Sequence, residues 1–156
     1  MNELRRKDKQ IAIEEAREIL TVAEYGILST VGTDGQPYGV PLNYVYRNNS
    51  IFFHCALTGH KLNNLASNPK VSFCVVGDTE VLPAKFSTNY ISVVVMGKAS
   101  ESLGHERSEA LVWLLEKYSP AFLEEGKNYI KKMDTATKLI KIEILHLCGK
   151  KAPAKA

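Results

Sequence analysis

A chain of 156 residues, 45% hydrophobic and 24% charged, has the size and make-up of one globular domain with a single core. Its net charge of +3 is mild, and the basic clusters (Arg5, Arg6, Lys7; Lys150, Lys151, Lys155) sit at the two ends, where they are solvated, which argues against a nucleic-acid partner. No apolar run approaches the ~20 residues that cross a bilayer, and MNELRRKDKQ lacks the apolar segment of a secretory signal, so a cytoplasmic, non-membrane protein is expected.

Residues 8–23 place Ile13, Ala16, Leu20 and Ala23 at three- and four-residue steps, the stripe of an amphipathic helix. Residues 25–31 read as a short apolar strand closed by the turn Gly32-Thr33-Asp34-Gly35. An extended segment over 37–47 follows, then a turn at Asn48-Asn49 and a strand over 50–55. Thr58-Gly59-His60-Lys61 opens a short helix over 61–67, which Asn68-Pro69 stops. Residues 71–76 (VSFCVV) are almost wholly apolar and are expected to be buried on both faces. Residues 77–88 read as a loop carrying Pro83, and 90–99 (YISVVVMGKA) is the most β-prone run. Helices are expected over 106–118, with Leu111, Leu114 and Leu115 on one face, and over 122–133. Residues 137–146 set Leu139, Lys141 and Glu143 against Ile140, Ile142 and Ile144, a half-exposed strand. A single domain over 1–150 with a frayed basic tail at 151–156 is the expected organisation.

Six strands joined mainly by short turns point to an antiparallel barrel with helices outside it, a mainly β (α+β) class. The runs 71–76 and 90–99 are apolar on both faces, so one face fills the barrel and the other needs a cover, either the chain's own helices or, the favoured expectation, a second copy of the chain. Cys55, Cys74 and Cys148 share no metal-type spacing and read as reduced thiols. His105 and His146 have no matching partners, and no metal site is expected. The N–H groups that begin a helix lack intrahelical partners and attract anions, whereas a lysine there opposes the dipole unless an anion is near. Two strands followed by the cationic start His60-Lys61 thus make a cradle for a planar, anionic ligand. There is no G-x-G-x-x-G after a strand, so no dedicated dinucleotide domain is expected.

Several pieces together resemble the pyridoxamine-phosphate-oxidase-like, FMN-binding split-barrel superfamily, and more narrowly its 5-nitroimidazole-resistance (Nim) branch. They are RRKD, GILST followed by DGQPYGVPLNYVY, FFHCALTGHKLNNL, NPKVSFCVVG, YISVVVMGKA, the triplet Glu116-Lys117-Tyr118, and IKIEILHLCGK. The resemblance implies a six-stranded antiparallel Greek-key split β-barrel, a homodimer with flavin sites at the subunit interface, and FMN as cofactor, with FAD or haem as the less favoured alternatives. Backbone from Gly39 through Val40, Pro41 and Leu42 to Asn43 would meet the polar edge of the flavin, because Pro41 interrupts the strand ladder. The phosphate would lie against His60 and Lys61, with Phe53, His54 and Asn64 lining the path and Cys55 alongside, while Ser92 would act across the dimer. Trp113 is expected in the core. Two departures argue against pyridoxamine-phosphate oxidation: Ser92 stands where those oxidases carry glutamine, and their basic pair is here His60-Lys61.

His54 is the expected catalytic residue, a ring that orients or protonates a small substrate beside the flavin; a histidine held by a nearby carbonyl is the structural alternative. The expected function is an FMN oxidoreductase that reduces small oxidised molecules such as nitroimidazoles. The competing expectation is a flavin or haem carrier without turnover.

Overall fold

The computed structural model of the chain describes residues 4–153. In chain order the elements are α1 (Ile13–Val22), β1 (Gly26–Val31), β2 (Pro37–Leu42), β3 (Val45–Arg47) and β4 (Ser50–Cys55). They continue as α2 (His60–Ser67), β5 (Lys70–Leu82), β6 (Ser87–Glu101), α3 (Gly104–Tyr118), α4 (Leu123–Met133) and β7 (Lys138–Ala152). Among the described residues seven strands form one antiparallel sheet in the order β2-β1-β5-β6-β7-β4-β3.

The expected six-stranded barrel is therefore a seven-stranded sheet, and it is not closed. The extra strand comes from residues 37–47, which split at Asn43-Tyr44. Tyr44 is wholly buried; its hydroxyl donates to the Leu20 carbonyl at 2.6 Å and its N–H donates to Tyr118 Oη at 2.9 Å. A strand whose N–H is taken by a side chain cannot continue its ladder. β2 and β3 consequently sit at opposite edges of the sheet although only Asn43 and Tyr44 separate them. A link of that length reaches about 10 Å, so the sheet has to roll round until its edges nearly meet. Asn43-Tyr44 is the seam that remains.

Inside the roll lie Leu28, Ile51, Phe53, Phe73, Val75, Val93, Val95 and Ile142, with Ala16 and Leu20 of α1 packed against them. Truncating a filled position such as Leu20 to Ala costs about 2–5 kcal/mol. A second cluster of Val45, Phe52, Ala110, Leu111, Leu114 and Leu139 joins α3 to the outside of β3, β4 and β7. Trp113 packs edge-on to Phe52 at 5.5 Å, the core role expected of it.

Residues 71–76 and 90–99 are buried on one face only. Val71, Phe73, Val75, Val93 and Val95 point in, while Cys74, Val76, Val94 and Met96 point out and no helix covers them fully. The expected loop over 77–88 is a hairpin arm: β5 runs on to Leu82 and β6 starts at Ser87, with a register shift between Val76 and Thr79. Backbone pairing holds such an arm without a buried face, so Asp78, Thr79 and Glu80 carry no hydrophobic alternation to announce it. β7 also extends beyond the expected 137–146, pairing Lys151 with Ile91 and Ala152 with Tyr90. The first two residues of the expected tail thus belong to the sheet, and 154–156 lie outside the described residues. The Asn48-Asn49 turn is as expected, with φ of 51° and 55°, the left-handed pair that suits a tight hairpin.

Candidate functional site

The edge strand β2 carries two prolines, Pro37 and Pro41, with a glycine between them. Pro37 and Pro41 have no N–H, so the ladder tolerates them where that position faces away from β1. Gly39 stands midway between them on the same alternation, opposite Ser29, so its N–H and C=O are directed to the free edge. Lacking a side chain, Gly39 also leaves the sheet face beside Ile27 and Ser29 uncovered.

α2 meets this edge with its first turn. Gly59 precedes it at φ 145°, and no side chain caps the helix. The His60 ring stacks on Tyr38 of β2, centroids 4.2 Å apart and planes inclined by 16°. Lys61 follows, half-buried and without an ion pair among the described residues. Farther along, Asn64 is only 4% exposed and donates to Thr30 Oγ1 at 2.9 Å, which ties α2 to β1. Asn64 therefore fixes the helix rather than lining an open path.

On β4, alternation separates the residues singled out from the sequence. Phe53 and Cys55 point into the roll and belong to the main core, so neither side chain reaches a ligand at the seam. Burial pushes the Cys55 thiol up, against the pull of Lys61 and Lys138. His54 points the other way, toward α3, and lines a cavity of about 200 Å³ with Asn43, Leu111, Leu114, Ile130 and Met133. Crowding by the protein lowers the His54 pKa below its ordinary value, so the ring is neutral near pH 7.

The seam is built by the end of α3. Besides accepting from Tyr44 N–H, Tyr118 Oη lies 2.8 Å from the Tyr44 carbonyl and 2.6 Å from that of Glu24, either of which takes its proton. Lys117 Nζ donates to the Ala23 carbonyl at 2.7 Å and stands 4.0 Å from the centre of the Tyr44 ring. Burial lowers the Lys117 pKa to about 8 and pushes Tyr44 and Tyr118 upward. The pair thus pins the end of α1 and the break between β2 and β3 at one point, beside Asn43.

Within one chain the structure gathers Gly39, Pro41 and Asn43 on or beyond the free edge, His60 and Lys61 at the α2 start, and His54 at the cavity. Val40 and Leu42 turn their side chains toward the core. Ser92 is elsewhere, on the outward face of β6, opposite Val76 and Lys150. The roles of Tyr118, Lys117 and Tyr38 were missed. The first two were visible as the Glu116-Lys117-Tyr118 triplet at a helix end, but the strand break that they serve left no periodicity signal. No cluster of three metal-ligating side chains occurs among the described residues.

Comparison with known proteins places the fold. The family model described as pyridoxamine 5'-phosphate oxidase matches residues 13–151. The uncharacterized protein RA0666 of Rhizobium meliloti (strain 1021) is 34% identical over 100 residues, which span 60% of this chain and 59% of that protein. Among solved structures, the conserved hypothetical protein Rv2991 of Mycobacterium tuberculosis superposes with a TM-score of 0.83 at 20% identity, over 97% of this chain and 92% of that one. A candidate 5-nitroimidazole antibiotic resistance protein of Bacteroides thetaiotaomicron gives 0.72 at 20% identity, over 91% and 86%. The FAD and haem binding protein of Mycobacterium smegmatis gives 0.81 at 18%, over 93% and 74%. Such low identities establish the shared fold. With the match to nearly its whole length, the chain belongs to the pyridoxamine 5'-phosphate oxidase family.

Proposed function

We propose that the protein is a flavoprotein that binds FMN along the free edge of β2 and reduces a small oxidised molecule. The observation that carries this reading is the Tyr38–His60 stack, which holds the cationic start of α2 against an edge strand with unpaired backbone groups. The residues fit the cofactor's two halves. The outward N–H and C=O of Gly39 match an edge that alternates donors and acceptors. Lys61 and the unpartnered N–H groups of the first helical turn match a phosphate. When bound, the flavin supplies two-electron redox chemistry, and the protein supplies orientation and electrostatics.

His54 is the residue we assign to the chemistry. A neutral imidazole at the cavity edge hydrogen-bonds an acceptor substrate through either nitrogen and delivers a proton as pH falls toward its lowered pKa. Acceptor reduction should therefore be faster on the acid side and decline as pH rises through that value.

The outward sheet face supports a homodimer. Val76, Met96 and Leu145 are 56%, 39% and 67% exposed in the single chain, side by side with Cys74 and Val94. Ser92 lies on that face, so a partner seated there would cover it. A carrier role without turnover is the second reading, favoured by the likeness to the FAD and haem binding protein of Mycobacterium smegmatis.

The two readings part in one experiment. Protein photoreduced under anaerobic conditions is mixed by stopped flow with a nitroimidazole, which needs no knowledge of the natural donor. The oxidoreductase reading expects reoxidation faster than free reduced FMN, and a loss of roughly 10²-fold or more in His54→Ala at unchanged flavin content. Equal rates in the two proteins would leave His54 a structural residue. Wild type no faster than free reduced FMN would make the protein a carrier.

A further inference from the structure

We infer that the cavity between α3, α4 and the end of β4 is a binding chamber for one uncharged aromatic ring. The inference rests on the reading above, because it makes this chamber the substrate side of the proposed flavin site.

The chamber is held open by its frame. Arg107 of α3 pairs with Asp134 and donates to the Thr137 carbonyl at 3.1 Å, which anchors the segment that follows α4. Near the other end of α4, a Cβ on Gly126 would lie 2.6 Å from Leu115 Cδ2, so the absence of a side chain lets the two helices touch. Between these anchors the helices leave about 200 Å³. An enclosed apolar cavity of ~150 Å³ takes up benzene, so this more open space has room for one ring with a substituent.

The walls select against charge. Leu111, Leu114, Leu115, Ile130 and Met133 present hydrocarbon. Arg107 and Asp134 neutralise each other, and the Tyr118 hydroxyl is spent on backbone. A charged group turned against these hydrocarbon walls would lose hydration that they do not replace, while the open side of the cavity stays wet. At one end, however, Asn43 and His54 have side chains with no hydrogen-bond partner among the described residues, and both line the cavity. They are placed to bind a polar substituent and turn it toward the seam. The ligand class is thus a single aromatic or heteroaromatic ring, uncharged, with one hydrogen-bonding substituent.

Calorimetric titration of the full chain with nitrobenzene and with para-nitrobenzoate tests this, with flavin content measured on every sample. Nitrobenzene should bind, and the carboxylate should bind roughly tenfold or more weakly, the scale of a lost or mismatched contact. Ile130→Trp fills the chamber from α4, where Ile130 is partly buried against the second cluster; Met133→Trp fills it from the exposed rim. Either should weaken nitrobenzene roughly tenfold or more while leaving flavin content as in wild type. Equal affinity for the two compounds, or unaltered nitrobenzene binding in both variants, overturns the inference. Loss of flavin in both variants overturns it too, by making the chamber part of the flavin site. If the wild type carries no flavin, the proposed function fails, and nitrobenzene binding still decides the chamber.

Discussion

Replacing Tyr118 by phenylalanine removes one oxygen and keeps the ring, so it isolates what the seam contributes. The oxygen accepts from Tyr44 N–H at 2.9 Å and donates to a carbonyl of Tyr44 or Glu24. Glu24 is exposed, so its carbonyl regains water at little cost. Tyr44 is wholly buried, and its N–H would be left without an acceptor. An unsatisfied buried donor costs about 1–3 kcal/mol. At this chain length each kcal/mol lowers Tm by roughly 2–4 °C, so a fall of roughly 2–12 °C is expected. Urea unfolding followed by Trp113 fluorescence measures the change, and the m value should stay constant because the surface exposed on unfolding is the same. Tyr129→Phe, at an exposed position on α4, is the matched control and should be silent. A Tyr118→Phe protein as stable as that control would refute the argument that this hydroxyl ends β2.

Two further predictions follow from burial and charge. Val94→Glu sets a carboxylate on the outward sheet face between Cys74 and Cys148, so sedimentation should show wild type as a dimer and this variant as a monomer; a monomeric wild type or a dimeric variant would remove this face as the interface. Lys117 falls from 10.5 to about 8 in the folded chain, so the unfolded chain binds more protons between those values and folding gains stability as pH rises through them. The stability of wild type relative to Lys117→Met, in which all other titrating groups cancel, should therefore grow across that window, and a constant difference would contradict the burial of the amine.

Much of the fold was legible because it rests on local patterns. Alternation in 137–146 and the three- and four-residue spacing in 106–118 are properties of single segments, and both elements formed over those residues, with β7 running on to Ala152. The break at Asn43-Tyr44 was not legible, since it depends on a hydroxyl that is distant in sequence and becomes near only after folding. The same holds for the α3–α4 chamber, whose frame is one glycine and one ion pair on different elements. For the site, His54, His60 and Lys61, singled out by residue type, lie outside the core clusters. Parity was the weaker guide: Phe53 and Cys55 share a motif with His54 but face the core, and Asn64 turned inward to Thr30.

The central claim, that FMN lies on the β2 edge with its phosphate at Lys61, is tested most directly by the visible spectrum of the purified protein together with a cofactor titration of Lys61→Ala. The account predicts flavin absorption bands in wild type and release of FMN on denaturation. Loss of the charge-assisted contact, worth about 1.5–3 kcal/mol, should weaken FMN about ten- to a hundredfold in Lys61→Ala, while riboflavin, which lacks the phosphate, binds both proteins alike. A Soret band, a colourless protein that takes up no FMN, or an FMN affinity unchanged by the substitution would contradict it.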